Sequence, residues 1–286
     1  MATRRDLERR QRRWAEAAGV ACDARGFVTR CDDNLRTSLD AATRADLERG
    51  SELVPTATRP GRLWSLTSSA ALVLNVFGHW RVSGNSPLVA ALGFDAGAAE
   101  LRFEESLPTG LEGDPPTADV LLRWESGSVA AIESKFGEWL VRRPRNKAVF
   151  KRKYFPVERE VWSDAGLPSC QALAADIDAG RERFRWLHAA QLLKHALGLV
   201  RLGAPATTLV YLYYDWPSPE SAQHAAELER FRARLGADVD FRVLTYQSLY
   251  AALCATSAGP VGYRTYLGHR YFTAGSTGVR RLAAVG

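Results

Sequence analysis

The 286-residue chain is poor in several features, and each scarcity removes a class of function. No stretch approaches the roughly 20 consecutive apolar residues that would span a bilayer. The arginine-rich N-terminus (Arg4, Arg5, Arg9, Arg10, Arg12, Arg13) lacks the apolar core of a secretory signal, so a cytoplasmic location and no membrane partner are expected. Cysteine is sparse: Cys22, Cys31, Cys170 and Cys254 form no C-x-x-C pair, which argues against a zinc site and a disulfide scaffold. Lysine is scarcer still for a basic chain. Only Lys135, Lys147, Lys151, Lys153 and Lys194 stand among 38 basic residues. The arginine and alanine excess has the look of GC-rich coding, so the few lysines carry more information than the many arginines.

What is present is an ordinary globular composition, 46% hydrophobic and 24% charged, sufficient for a sizeable core. A net charge of +6 favours polyanionic partners. The segments RRDLERRQRRWAEAA and SLDAATRADLERG read as charged helices, the second closed by Gly50. SLTSSAALVLNVFGHW reads as a buried helix, because its apolar residues run almost all the way round, with Thr67 or Ser68 as its cap. Strand-like runs follow at Glu100–Ser106, Ala118–Trp124 and Ser128–Phe136. The last two flank the turn composition ESGS and predict an antiparallel hairpin. Residues 171–201 read as a long helix broken near Gly180, TTLVYLYYDW as a strand, Pro219–Leu235 as an amphipathic helix, VDFRVLTY as a strand and QSLYAALCA as a closing helix. The stretch beyond Gly259 is expected to be loosely held. This order predicts an α/β (α+β) domain with a mixed sheet.

The chemistry concentrates in PTADVLLRWESGSVAAIESKFGEW. Strand alternation turns Glu133 and Lys135 to one face, about 7 Å apart, and Ser134 to the other. Asp119 opens the neighbouring strand. A two- or four-residue turn would pair it with Ser134 and aim it at the wrong face, so an odd loop or a β-bulge is required to bring Asp119 and Glu133 together. Converged, Asp119, Glu133 and the backbone carbonyl of Ser134 offer the hard oxygen ligands that Mg²⁺ prefers, and Mn²⁺ would substitute. Lys135 would hold or help deprotonate a metal-bound water, and Glu104 would add a ligand or receive a proton. Glu104 and Glu105 are not distinguished at this level.

The spacing Asp119-x13-Glu133-x-Lys135, on a hairpin between a preceding helix and strand and a following long helix, resembles the PD-(D/E)XK nuclease superfamily. LTSSAALVLNVFG, FEESLPTG before ADVLL, IESKFGE and AAQLLKHALG look like a restriction-endonuclease-like bacterial branch of it. The resemblance covers roughly residues 60–250. It implies an αβββαβ core with a mixed sheet flanked by helices, extended by N-terminal helices and by a C-terminal strand and helix. The expected divisions are an N-terminal helical extension over 1–60, a nuclease-like domain over 61–255 and a tail over 256–286. It also implies Asp119 and Glu133 as metal ligands, Lys135 as the catalytic lysine, Glu104 as an accessory acid and Gln191 as the glutamine presented by the following helix. Ala118 stands where the superfamily's name has proline.

His188, Gln191 and His195 fall at i, i+3 and i+7 of that helix and form one polar stripe. Directly after the hairpin, VRRPRNKAVFKRKYF places Arg142, Arg143, Arg145, Lys147, Lys151, Arg152 and Lys153 within twelve residues, with Phe150, Tyr154 and Phe155 as stacking or anchoring groups. This run and Lys194 are the expected contacts to nucleic-acid phosphates. The functional expectation is a magnesium-dependent endonuclease acting on DNA in restriction, defence or repair, with RNA and a homodimer left open. The alternatives are a nucleic-acid-binding module without cleavage, which has no need of all three of Asp119, Glu133 and Lys135, and a glycan hydrolase using Glu104 and Glu133 as an acid/base pair.

Overall fold

The computed structural model describes residues 3–49, 61–95, 97–142 and 149–272. Among them, five strands form one mixed sheet in the order β1 (Glu100–Ser106), β2 (Thr117–Arg123), β3 (Val129–Lys135), β4 (Thr207–Tyr213) and β5 (Asp240–Thr245). The first three strands are antiparallel neighbours, whereas β3–β4 and β4–β5 are parallel. Parallel neighbours need crossover helices. Helices α5 (Pro168–Asp178) and α6 (Ala189–Arg201) supply the first crossover and α7 (Ser221–Leu235) the second. The predicted long helix is thus two, separated around Gly180, which has φ 72°.

The central strand β3 is buried along six of its seven residues, which explains its run of small apolar side chains. Helix α3 (Ser69–Ser83) packs on β1, β2 and β3, and α6 packs on β3 and β4. The apolar face of α6 buries Leu192, Leu193, Leu197 and Leu199, each contributing about 1.5–3 kcal/mol relative to exposure. Ser68 caps α3 by accepting from the Ala71 amide at 3.1 Å. Helix α8 (Tyr246–Ala255) follows β5 directly.

The N-terminal elements join the same core. Helix α1 (Arg4–Ala17) contributes Leu7, and α2 (Ala41–Arg49) contributes Leu47. Asp46 of α2 accepts the Phe103 amide at 3.2 Å, which occupies an N–H on edge strand β1. A six-residue helix that the sequence pattern did not suggest, α4 (Ser86–Ala91), follows α3.

The stretch beyond Gly259 departs from expectation. It is not loosely held as far as Phe272. Helix α9 (Val261–Leu267) and the turn after it bury Tyr263, Leu267, Tyr271 and Phe272. Arg270 is buried as well, donating to the Asn34 carbonyl at 2.7 Å and to the Tyr266 hydroxyl at 2.8 Å. These hydrogen bonds meet the cost of burying its charge. All four cysteines are free thiols.

Candidate active site

The β2–β3 hairpin settles the register on which the site depends. Trp124 N–H donates to the Ser128 carbonyl at 3.0 Å and Gly127 N–H to the Trp124 carbonyl at 2.9 Å. Glu125, Ser126 and Gly127 therefore form a three-residue loop, with Gly127 at φ 83° supplying the left-handed residue such loops need. The loop is odd, as convergence of the carboxylates demands. Val120 pairs with Ile132, and one step further Asp119 stands opposite Glu133.

Beyond Ile132 the backbone ladder between β2 and β3 ends, while β3 continues its pairing with β4 through Lys135. The amide of Ser134, left without a backbone partner on β2, donates instead to the Asp119 carboxylate at 2.6 Å. Lys135 turns its carbonyl toward β4, where it accepts from the Tyr214 amide at 2.8 Å. Strand alternation then directs the Ser134 carbonyl to the β2 side, toward Asp119. The side chain of Ser134 faces the other way and meets the Tyr246 hydroxyl of α8 at 2.7 Å.

Across β1, Phe103 pairs with Val120 and Glu105 with Ala118, which places Glu104 opposite Asp119. Glu104 adopts φ 47°, a left-handed backbone that costs a non-glycine residue about 1–3 kcal/mol. The kink directs Glu104 to the cavity beside Asp119 and Glu133, whereas Glu105 faces Arg49 at 3.9 Å. Three carboxylates thus form one row across three strands.

Glu133 is 1% exposed and is ion-paired with Lys135. His195 of α6, 0% exposed, brings Nδ1 to 3.3 Å from the other oxygen of Glu133. His195 is therefore not part of a solvated stripe. Burial holds its pKa down, at about 3, with the Lys135 cation adding to the effect, so the ring is neutral at physiological pH. For Asp119, burial and then repulsion from Glu133 push the carboxyl up to about 8, against the opposing pull of Lys135 and the Ser134 amide. Burial alone would lower the Lys135 pKa, but the Glu133, Asp119 and Glu138 carboxylates outweigh it and the net shift is upward. Paired carboxylates driven apart in this way mark a place where a cation is favoured. The hard oxygen donors suit Mg²⁺, which needs only one or two carboxylates and keeps its waters. Among the described residues no three His, Cys, Asp or Glu side chains gather into a metal cluster.

These groups open onto a cavity of about 790 Å³ that Lys135, Glu138 and Gln191 also line. Gln191 Oε1 lies 2.7 Å from Nδ1 of His188, the residue just before α6, which orients the amide. Glu138, exposed, accepts the Phe136 and Gly137 amides at 2.7 and 3.0 Å.

The basic run is less uniform than its sequence. Arg143, Arg145 and Lys147 lie outside the described residues, and Arg142, Lys151 and Arg152 are exposed. Lys153 is committed in part to backbone, donating to the Asp114 carbonyl at 3.2 Å and to that of Glu112. Lys194 sits 5.3 Å from the ring centres of both Phe150 and Tyr154. Burial and the cations of Lys151 and Lys153 lower its pKa. Phe150 and Tyr154 are buried against Trp162, so they anchor the segment and do not stack on bases.

A family model described as restriction endonuclease associating with ARP matches residues 11–272. The chain belongs to this restriction endonuclease family. The match begins inside α1, takes in α2 as well as the αβββαβ core, and ends at Phe272, where the described structure also ends. Membership in the family agrees with the superfamily resemblance carried by Asp119, Glu133 and Lys135, and it implies a DNA substrate. No protein of curated function and no solved structure matches the chain significantly.

Proposed function

We propose that this chain is a magnesium-dependent endonuclease that hydrolyses DNA phosphodiester bonds, with Asp119, Glu133 and the Ser134 carbonyl as the metal ligands. The observation that carries the reading is the odd hairpin loop, which sets Asp119 opposite Glu133 with Lys135 at the same cavity. A bound Mg²⁺, or Mn²⁺ in its place, would acidify a water and offset charge on the phosphoryl oxygens.

The protein groups have separable tasks. Lys135 is cationic, because its three carboxylate neighbours raise its pKa. It holds the attacking water or helps to deprotonate it, and it offsets phosphate charge. Glu104, opposite Asp119, receives or relays the released proton. Gln191, its amide oriented by His188, donates to a phosphate oxygen or to the water. His195 is a positioning residue: its neutral ring lies 3.3 Å from one oxygen of Glu133, while Lys135 is paired with the other. The exposed Arg142, Lys151 and Arg152, with Arg143, Arg145 and Lys147, track the flanking phosphates, and Lys153 and Lys194 secure that segment to the body of the protein.

Incubating the full chain with plasmid and single-stranded DNA in Mg²⁺, Mn²⁺ or EDTA tests this. Cleavage in either metal and none in EDTA is the expected result. Tight binding with no cleavage in any metal would leave a DNA-binding module.

A further inference from the structure

The cavity has a second wall of opposite character. Arg4 of α1, Arg49 at the end of α2 and Arg62 before α3 line it together with Thr67, Ser69 and Ala70 at the start of α3. The three arginines come from separate elements and are all exposed. Arg4 is held by Glu8 at 3.1 Å, and Arg49 is ion-paired with Asp46, which leaves each with further N–H donors for a ligand. The first-turn amides of a helix lack intrahelical acceptors, and among the described residues the Ser68 side chain accepts that of Ala71.

We propose that this N-terminal wall grips a phosphodiester of the bound strand adjacent to the one that is cleaved. The inference rests on the phosphodiesterase reading of the carboxylate wall. Without a bound cation that wall, rich in carboxylates, does not attract a phosphate. Glu104, Asp114, Asp119, Glu133 and Glu138 line it, and Lys135 beside them is already ion-paired with Glu133. Arginine forks facing them supply the missing positive charge in the planar geometry that fits phosphate oxygens two at a time. The first turn of α3 adds backbone donors and the positive end of a helix dipole on the same side. A cavity of about 790 Å³ is large enough to take more than one phosphate group. The N-terminal helices are on this account half of the substrate cleft and not an appendage to it.

The test is fluorescence anisotropy of a labelled oligonucleotide binding to the full chain in an Asp119→Asn background, which separates binding from cleavage. Arg4 and Arg62 are the positions to change, because Arg49 shares Asp46 with Arg81 and its loss would disturb that network. Arg4→Ala combined with Arg62→Ala should weaken binding at least about tenfold and flatten the log–log salt slope by about 0.9 for each phosphate that is no longer neutralised. The Arg4→Lys, Arg62→Lys protein should keep most of the slope, which also guards against a folding defect in the alanine variant. Unchanged affinity and slope in a folded alanine variant would overturn the wall and leave the endonuclease reading intact. If the parent protein binds DNA at no salt concentration, both fall. If it binds, the wall variants lose binding and wild type cuts nothing, the wall stands and the cleavage reading falls.

Discussion

Asp119→Asn should make the metal-free protein more stable while removing its activity. The carboxyl is driven from 3.8 to about 8 by burial and by Glu133, so folding at neutral pH requires Asp119 to take up a proton that the unfolded chain does not hold. A carboxyl raised in the folded state contributes stability that is complete below its unfolded pKa and is lost as pH rises toward the folded one. Wild type should therefore lose stability steadily between about pH 4 and pH 8 in EDTA. A shift of about four pH units at 1.36 kcal/mol each sets a ceiling of about 6 kcal/mol. Water reaching the half-buried group screens part of this, and a gain of at least about 2 kcal/mol at pH 8 is expected for the variant. Asparagine keeps an acceptor for the Ser134 amide, so the local hydrogen bond survives. In thermal unfolding with EDTA, the variant should melt at least about 4 °C above wild type at pH 8 and nearly level with it at pH 4.5. Added Mg²⁺ should then raise wild type alone, since only its folded state binds the ion well. A variant that gains nothing at pH 8, or gains as much at pH 4.5, would refute the proposed repulsion.

Three further outcomes rest on particular neighbours in the fold. Gly198→Ala would bring its Cβ to 2.7 Å from the Leu107 carbonyl oxygen and 2.6 Å from the Leu107 Cβ. Overpacking of about 1–3 kcal/mol should outweigh the roughly 1 kcal/mol gain in helix propensity, and a more stable protein in urea unfolding would contradict that packing. His195→Ala should weaken Mn²⁺ binding, followed by electron paramagnetic resonance of the free ion, by about 10–100-fold, with partial rescue by His195→Asn. Unchanged Mn²⁺ affinity would remove the positioning role. Replacing Arg142, Arg143, Lys151 and Lys153 together with alanine should lower DNA affinity regardless of sequence, and an unaltered salt slope would make the run an ordinary solvated surface.

How much of the fold and site is legible in the sequence depends on how local each determinant is. The strand Glu100–Ser106 carries its alternation within seven residues, and its predicted bounds are the observed ones. The two strands of the hairpin match their predicted ends to within one residue. The decisive loop is harder, because ESGS reads as four turn residues until Ser128 is seen to close the pair with Trp124. Helix α4 has only six residues, too few for a helical period to emerge. His195 is legible as a member of a polar stripe but not as buried. Its neighbours Leu192, Leu193 and Ala196 make an apolar arc broad enough to carry it inside, and which side of α6 meets Glu133 is a tertiary matter. Glu104 and Glu105 are both polar residues at a strand end, and only the left-handed kink at Glu104 separates them. Arg4, Arg49 and Arg62 are scattered among many arginines, and nothing short of the fold brings them to one cleft.

The most direct test of the central claim compares wild type and Lys135→Ala for cleavage of DNA in Mg²⁺ and for binding of the same DNA in EDTA. Lys135 lies beside Glu133 at the cavity and is one cation among many in the binding surface. Loss of a positioned group of this kind typically costs about 10²–10⁴ in rate, whereas a single phosphate interaction alters affinity modestly. The variant should therefore bind DNA nearly as wild type does and cut it at least a hundredfold more slowly, in line with that range. Equal cleavage by the two proteins would show that the Asp119, Glu133 and Lys135 site is not where the phosphodiester bond is broken.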